Sequence, residues 1–205
     1  MLFRSVGVFN RSGPLGAETQ YSVSGGQISI PDGIAGDYYV IVKTDHTNTV
    51  NEFVLEGDNE TVAESTIAIT RADYPDLVVE NLAVSDPDLA GQRTVTWTLA
   101  NRGTGAAAAD FSERFVVRNT TTATTVVSDL LPVPSALAAG ATLARQATFT
   151  ASTAGQYQVE VTADALSQRY EYNESGATAA ELNNVASVPF AIIQLFTLAV
   201  AADPV

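Results

Sequence analysis

The sequence predicts an all-β protein, an antiparallel β-sandwich in two tandem units of which the first is N-terminally truncated. Three observations support this prediction: apolar residues alternate with polar ones, a segment of the chain is repeated, and no helical period is sustained. The alternation is clearest at Val40 and Val42, and again at Val159 and Val161. A period of two indicates a strand with one buried face, so each of these segments is predicted to be a strand.

The repeat pairs the segment beginning at Gly36 with the segment beginning at Gly155. In each copy a tyrosine follows the glycine by two residues, an aspartate by nine and a glutamate by sixteen. These residues are Tyr38, Asp45 and Glu52 in the first copy, and Tyr157, Asp164 and Glu171 in the second. Each copy is therefore interpreted as one strand that runs into an acidic turn, within a unit of ordinary domain size.

The first unit is assigned to residues 6–70 and is interpreted as the C-terminal part of a domain of about four strands. One strand is predicted around Ile28 and Ile30, ahead of a Pro-Asp-Gly turn, and another in residues 61–70. Residues 71–74 are interpreted as a linker. Residues 1–5, MLFRS, are interpreted as a non-native cloning scar, because the end of a common sequencing adapter encodes them.

The second unit, residues 75–195, is predicted to be a complete sandwich, and residues 196–205 a strand end or a linker. Trp97 lies on the apolar side of an alternating segment, so it is expected in the core. The alanine-rich stretches 106–109 and 136–141 are flanked by glycine or proline and are expected to be loops or single turns. Seven strands are predicted, in DLVVENLAV, RTVTWTLAN, SERFVVRN, TTVVSDL, ATLARQATFT, GQYQVEVTAD and NVASVPFAII.

Composition excludes several classes of function. Ten basic residues against 23 acidic ones give a net charge of -13, which disfavours nucleic acid and anionic membranes as partners. There is no cysteine, and His46 is the only histidine, so thiolate metal sites and most catalytic constellations are excluded. The longest apolar run, residues 190–202, is too short to span a bilayer. We therefore expect a non-enzymatic protein without membrane insertion.

The tyrosines that enter the repeated strands admit two interpretations. Tyr38 and Tyr157 each follow a glycine by two residues at the start of a strand. This placement is typical of the tyrosine corner of immunoglobulin-like domains, in which the hydroxyl bonds back to the preceding turn. Alternatively, both are simply large core residues.

Several landmarks occur together in the second unit: Pro75-Asp76-Leu77, Asn101-Arg102-Gly103, Gly140, Gly155, Tyr157, Asp164, Glu171, Asn173-Glu174 and Asn183-Asn184. In this order and spacing they resemble one family, CARDB, the cell-adhesion-related domain found in bacteria. The resemblance covers residues 75 to about 193 and implies an immunoglobulin-like sandwich of secreted and surface proteins. Residues 14–70 resemble only the second half of another such domain. Two departures are the Asp58-Asn59 pair of that first copy, where the family has paired asparagines, and an insertion at Ser175–Glu181 in the second copy.

The acidic turns are the candidate sites, because carboxylate and amide oxygens are the ligands that calcium prefers. The alternative is structural, since Asp and Asn side chains also cap turns through backbone amides. Glycoside hydrolysis is disfavoured because the acids follow strand ends rather than facing each other across a cleft. The first turn offers Asp45, Asn48, Glu52, Glu56, Asp58 and Asn59. The second turn offers Asp164, Glu171, Asn173, Glu174, Asn183 and Asn184.

The resemblance and the composition together predict a non-catalytic module of a bacterial exported protein, located outside the cell or at its surface. Its role would be adhesion, or that of a stalk or spacer, with neighbouring domains, another protein or a glycan as partners. Two alternatives remain: an accessory module that binds substrate or spaces a secreted hydrolase, and a filament subunit that exchanges strands with its neighbours. Apart from calcium, no cofactor is expected.

Overall fold

The structure is a computed structural model that describes residues 4–53, 55–87 and 91–193. The chain divides into two units, residues 1–72 and 73–205. Nine antiparallel strands account for the regular structure of the described residues, together with one six-residue helix and one 3₁₀ turn. The all-β prediction is therefore confirmed. Residues 1–3 of the predicted scar, and the whole predicted end segment 196–205, lie outside the described residues.

The second unit contains all seven predicted strands, arranged as a sandwich of two antiparallel sheets. The strands are β3 Leu77–Val84, β4 Gln92–Asn101, β5 Phe111–Asn119, β6 Thr124–Val133, β7 Thr142–Thr150, β8 Gly155–Thr162 and β9 Val185–Ile192. One sheet has the order β3-β4-β7 and the other the order β6-β5-β8-β9, which is an immunoglobulin-like arrangement.

The core lies between the two sheets and is filled by alternate residues of each strand. Trp97 is buried as predicted, and its ring stacks on Phe115 of the opposite sheet with the centroids 6.1 Å apart. The alternation of strands β4 and β8 thus places one apolar face of each sheet against the other. The core includes Leu77, Val79, Val95, Trp97, Leu99, Phe111, Phe115, Val117, Val133, Leu137, Phe149, Tyr157, Val159 and Val161.

A buried carboxylate connects the two sheets inside this core. Glu113 of β5 accepts a hydrogen bond from the Trp97 indole nitrogen at 2.7 Å and from Nε of Arg145 at 2.6 Å. Burial raises the pKa of the Glu113 carboxyl group, whereas its bonds to Trp97 and Arg145 oppose that rise. Removing either partner would leave a buried acceptor with fewer donors, which is costly in the core.

Tyr157 satisfies both interpretations made from the sequence. Its side chain is buried, and its hydroxyl donates to the Thr153 carbonyl at 2.7 Å, in the turn before β8. It is a core residue that also forms a tyrosine corner. Tyr38 donates in the same way to the Ala35 carbonyl, at 3.3 Å, although it is exposed.

A short helix in the second unit was not predicted. Helix α1, Ala177–Leu182, begins in the insertion and ends one residue after it, and the residue before the helix, Gly176, has a φ of 102°. Six residues make fewer than two turns, so they cannot display a helical period. The alanine-rich stretches 106–109 and 136–141 form no helix, as predicted, and are joined by a single bridge between Ala107 and Leu137.

The first unit contains one antiparallel hairpin, formed by β1 Gly36–Lys43 and β2 Glu60–Ile69. A 3₁₀ turn, Glu56–Asp58, precedes β2. Residues 4–35 contain no strand, so the strand expected around Ile28 and Ile30 is absent and that prediction was wrong. Two alternating isoleucines favour a strand only if a neighbouring strand pairs with them, and none does so among the described residues.

No helix among the described residues is both long enough and apolar enough to cross a bilayer.

Replacing Trp97 by alanine is expected to lower the free energy of unfolding by about 3 to 5 kcal/mol, because it removes a buried ring and leaves a cavity. Chemical denaturation of the full chain measures this change. Leu182→Ala is the matched control, since Leu182 is 77% exposed and should be nearly neutral. Equal effects of the two substitutions would contradict the placement of Trp97 in the core.

Candidate functional site

The second acidic turn folds over the start of β3 and buries a glutamate there. Glu171 is fully buried, and one of its carboxylate oxygens accepts the backbone N–H of Leu77 at 2.5 Å. The other oxygen accepts Nδ2 of Asn184 at 2.9 Å. The backbone N–H of Tyr172 also donates to the Pro75 carbonyl at 3.0 Å. Glu171 thereby joins the first residue of β3 in one sheet to the residue that immediately precedes β9 of the other.

Asp76 forms a second polar centre beside Glu171. Its Oδ1 accepts Nδ2 of Asn183 at 3.0 Å and Nδ2 of Asn173 at 3.3 Å. Its backbone N–H donates to Oδ1 of Asn101 at 3.1 Å. Asn101 in turn directs its amide nitrogen towards three carbonyl groups, those of Gly105, Leu137 and Ala138. We call this group the polar junction; it consists of Asp76, Asn101, Glu171, Asn173, Asn183 and Asn184.

The polar junction explains why the sequence landmarks occur together. The Pro-Asp-Leu opening, the Asn-Arg-Gly after β4, the acidic turn and the paired asparagines all meet at this end of the sandwich. Gly103 and Gly105 are required for close approach, because a Cβ atom on either would collide with the backbone of Asp73–Asp76. These landmarks therefore close the second unit.

The repeated aspartates act as turn caps. In the second turn the two carboxylate oxygens of Asp164 accept the backbone N–H groups of Gln168 and Arg169, at 3.0 and 2.7 Å. In the first turn those of Asp45 accept the N–H groups of Thr49 and Val50, at 2.9 and 2.8 Å. Both aspartates also share a left-handed φ, 36° and 38°. In both copies the N–H donors lie four and five residues after the aspartate. Both aspartates therefore cap their turns through backbone amides, which is the structural alternative to calcium binding.

The other candidates of the first turn are dispersed. Asn48 donates its backbone N–H to the Asp45 carbonyl, whereas Asn59 accepts the Thr44 hydroxyl at 2.9 Å, at the other end of the turn. Glu52 is half-buried, and Asp58 is an exposed residue at the end of the 3₁₀ turn. The side chain of Glu56 lies outside what the structure describes. The bonds of Asn48 and Asn59 therefore hold these two residues at separate parts of the turn.

The candidates of the second turn are brought together, except Glu174, which is exposed. In the described part of the chain, however, no three His, Cys, Asp or Glu side chains are placed to hold a metal ion. Calcium binding at either set therefore stays a prediction.

Reasoning from the sequence named most of the polar junction but assigned no site role to Asp76, to Asn101 or to the nearby Glu181. The first two stood among the landmarks, whereas Glu181 lies in the insertion and gave no signal.

The surroundings of Glu171 in the polar junction disfavour the ionised form of its carboxyl group. Burial raises the pKa of Glu171 to about 7, and the nearby carboxylates of Glu181 and Asp164 add to this rise. Burial followed by the Asp164 charge also raises the pKa of Glu181. In addition, the side-chain oxygens of Asn183 and Asn184 are buried without a hydrogen-bond partner. Each such oxygen costs about 1 to 3 kcal/mol unless it is satisfied.

An open depression on the outer face of the β3-β4-β7 sheet contains no acid, base or nucleophile pair. Its lining residues are Asn81, Thr96, Trp97, Thr98, Ala144, Arg145 and Gln146.

Because the pKa of Glu171 is raised in the folded chain, the contribution of Glu171 to the free energy of unfolding falls as the pH rises. The folded chain binds its proton more tightly than the unfolded chain, so the contribution is complete below about pH 4.5 and is lost as the pH rises through about 7. Relative to Glu171→Gln, the wild-type chain should lose about 2 to 4 kcal/mol across this range, because one pKa unit equals about 1.4 kcal/mol. Denaturant titrations at several pH values, with a chelator present, measure this difference.

Glu174→Gln is the matched control, because it removes a neighbouring but exposed carboxylate and should follow the wild-type profile. If the profiles of wild type and Glu171→Gln run parallel, Glu171 does not titrate in this range and the assignment fails.

Solved structures that are similar to the chain include two of one CARDB domain, that of the PF1109 protein from Pyrococcus furiosus. The crystal structure, in complex with di-metal ions, is 20% identical and has a TM-score of 0.41, covering 58% of this chain and 90% of that chain. The solution structure is also 20% identical, with a TM-score of 0.44, covering 60% and 98%.

Beta-glucosidase 3B from Thermotoga neapolitana, in complex with glucose, is 12% identical with a TM-score of 0.36. The match covers 60% of this chain and 16% of that chain. No protein of curated function matches the chain.

The CARDB family model matches residues 74–187, which is more than half of the 205 residues. The matched range contains the polar junction and reaches into the last strand of the second unit. The chain therefore belongs to the CARDB family, a family of non-catalytic, adhesion-related modules.

Proposed function

We propose that the chain is a spacer or adhesive module of a bacterial exported protein, acting outside the cell or at its surface. The observation that carries this proposal is that the chain enters the second unit at one end of the sandwich and leaves it at the other. An arrangement of this kind lets successive domains follow one another in a line, as a stalk requires.

Hydrogen bonds and strand register place the two ends of the unit. Leu77, at the start of β3, lies at the polar junction beside Asn184, which immediately precedes β9. Strand β9 then runs away from the junction, from Val185 opposite Thr162 to Ile192 opposite Gly155. Seven steps of about 3.4 Å separate the ends of this strand by roughly 24 Å.

The chemistry of the described residues supports a non-catalytic role. The acids of the second turn bond to the chain's own backbone and amide groups rather than to an open cleft. The net charge of -13 disfavours nucleic acid and anionic membranes and favours neighbouring domains, neutral glycans or basic proteins as partners.

The alternative role, an accessory module of a secreted hydrolase, requires either spacing or substrate binding. The same end-to-end geometry serves spacing equally well. Sugar binding would favour coplanar exposed rings, but Tyr74 and Tyr170 meet edge to face at 65°, with centroids 4.8 Å apart. Spacing is therefore the better-supported form of this alternative.

Spin labels test the end-to-end geometry, and the absence of cysteine makes labelling selective. In the full chain, Asp73→Cys with Ile193→Cys labels opposite ends of the second unit at exposed positions. We expect an electron–electron distance of roughly 25 to 35 Å, from the length of β9 and the label arms. The control pair, Asp73→Cys with Glu174→Cys, labels one end and should give a clearly shorter distance. Equal distances for the two pairs would contradict the spacer proposal.

A second candidate function, strand exchange in a filament, is favoured by an observation on the first unit. Residues 36–43 and 155–162 form β1 and β8, which begin at the two repeated glycines and have the same length. Gly36 pairs with Ile69 as Gly155 pairs with Ile192, at the far end of each hairpin. The first unit thus contains a hairpin, β1–β2, that is equivalent to the β8–β9 hairpin at the end of the second unit.

The two hairpins differ in what covers them. β8 pairs with β5 along Tyr157–Thr162, whereas among the described residues β1 pairs with β2 alone. Tyr38, Val40 and Val42 are each at least 37% exposed, but their counterparts Tyr157, Val159 and Val161 are at most 2% exposed. An open strand edge beside an apolar face is a template for another strand. We infer that the first unit is the C-terminal half of a second CARDB-type domain, and that it takes a strand equivalent to β5.

Hydrogen exchange resolved by residue tests this inference in the full chain. In a monomeric sample, the amides of Tyr38–Val42 should exchange at least about tenfold faster than those of Tyr157–Val161, because an isolated hairpin is marginally stable. Slow exchange of both segments in a sample proven to be monomeric would show that the first unit needs no further strand.

A further inference from the structure

The second unit has four strand edges, because each of its two sheets ends in two outermost strands. These strands are β3 and β7 in one sheet, and β6 and β9 in the other. An exposed edge presents unpaired backbone N–H and C=O groups on which another strand can form. Natural sheets therefore obstruct their edges with prolines, bulges, charges or covering loops. Three of the four edges of this unit are obstructed in such ways.

The first two obstructed edges are those of β3 and β6. On β3 the Leu77 N–H donates to Glu171, and a bulge interrupts the register between residues 80 and 83. On β6 Pro132 has no N–H to offer, and its carbonyl accepts Nη2 of Arg145 at 3.1 Å. Neither strand therefore presents an unbroken row of free backbone groups.

The edge of β9 is obstructed by Pro189. The Ala163 N–H donates to the Asn184 carbonyl, which fixes the residues of this strand that bond to β8. Backbone groups of successive residues point to opposite sides of an antiparallel strand, so Val188 bonds to β8 and Pro189 faces outwards. Because proline has no N–H, a strand added here would lose a donor in the middle of β9.

The edge of β7 has none of these obstructions. All nine of its residues pair with β4 in one register without a bulge, and none of them is a proline. Its one charged residue, Arg145, bonds to the buried carboxylate of Glu113. No strand among the described residues pairs with the outer side of β7. This edge is therefore open to a further strand.

The free backbone groups of β7 belong to every second residue. At the end of the ladder with β4, the Asn101 N–H donates to the Ala141 carbonyl at 3.0 Å. By the alternation of an antiparallel ladder, the odd-numbered residues of β7 bond to β4 and the even-numbered ones face outwards. The central outward-facing residues are exposed, and they are Ala144, Gln146 and Thr148.

We propose that β7 pairs along this edge with β7 of a second copy of the chain, antiparallel and centred on Gln146. Two sheets of three strands then become one sheet of six. In this register Ala144 lies opposite Thr148 of the second copy, so each outward-facing residue meets another one. The pairing forms roughly ten hydrogen bonds between the copies, as many as a standard protein interface contains.

The side chains of β7 favour a second copy as the occupant. In the same register Leu143 lies opposite Phe149 of the second copy, so apolar residues meet on the inner face of the sheet. Arg145 lies opposite Ala147 of the second copy, and each Arg145 is already paired with Glu113. No like charges are therefore directly opposed, although like charges are what natural edges use against self-pairing.

The contact goes beyond the spacer role, because it lies along the side of the second unit rather than at its ends. It does not involve the first unit. Because the paired strands are antiparallel, the two copies run in opposite directions along the contact.

Sedimentation equilibrium and residue-resolved hydrogen exchange of the full chain, each over a series of concentrations, test the pairing. About 0.5 M sodium chloride screens the repulsion between two chains of net charge -13. As the mass rises towards that of a dimer, the amides of Ala144, Gln146 and Thr148 should exchange at least about tenfold more slowly. The amides of Arg145 and Ala147, which bond to β4 already, should not change.

Two substitutions of Gln146 obstruct the edge. Gln146→Pro removes an outward N–H and leaves the bonds to β4 in place, whereas Gln146→Lys sets two like charges opposite each other. Each should weaken self-association at least about fivefold. Gln156→Lys is the matched control, because it makes the same charge change at an exposed residue of β8 and should associate as the wild type does.

The proposal is overturned if the wild-type chain stays monomeric at every concentration. It is also overturned if the outward amides of β7 are already protected in the monomer, because the edge is then covered by the chain's own residues. Self-association that persists unchanged in the two Gln146 variants overturns it as well, since the copies then meet through another surface, such as the edge of β1.

Discussion

The second unit depends on one buried carboxylate, that of Glu171. It is held between the backbone N–H of Leu77, 94 residues away along the chain, and the side chain of Asn184. These partners belong to the first strand of one sheet and to the segment that begins the last strand of the other. Hydrophobic burial holds the sheets face to face but fixes no unique end, because it is non-directional. The directed bonds of Glu171 fix which loops close the sandwich at this end.

A buried acid stabilises only while its charge is satisfied or absent. Glu171 has two donors, which favour its ionised form, yet burial and two neighbouring carboxylates outweigh them and raise its pKa to about 7. The polar junction is consequently sensitive to protonation of Glu171. Burial also raises the pKa of Glu113, but its bonds to Arg145 and to the Trp97 indole oppose that rise.

The strands of the second unit were predictable because each has large apolar residues at alternate positions, as around Trp97, and the sheets bury that pattern. Ile28 and Ile30 show the same alternation without forming a strand, because strand formation also requires a partner that a short pattern does not supply. The sequence predicted most of the residues that form the candidate site, but not the part that each one plays in it. Sequence spacing placed Asp164 and Glu171 in one turn, yet it carried no information on which oxygens backbone N–H groups already occupy, or that Glu171 bonds to Leu77.

Hydrogen exchange at the backbone amide of Leu77 tests the central claim most directly. This N–H donates to Glu171, so its protection reports the closure of the polar junction. If the account is correct, Leu77 exchanges about as slowly as Val159 in the middle of β8, and it remains protected in Glu171→Gln, which keeps an acceptor oxygen. If the Leu77 amide of the wild-type chain exchanges as fast as the amides of exposed loops, Glu171 does not close the sandwich and the account is contradicted.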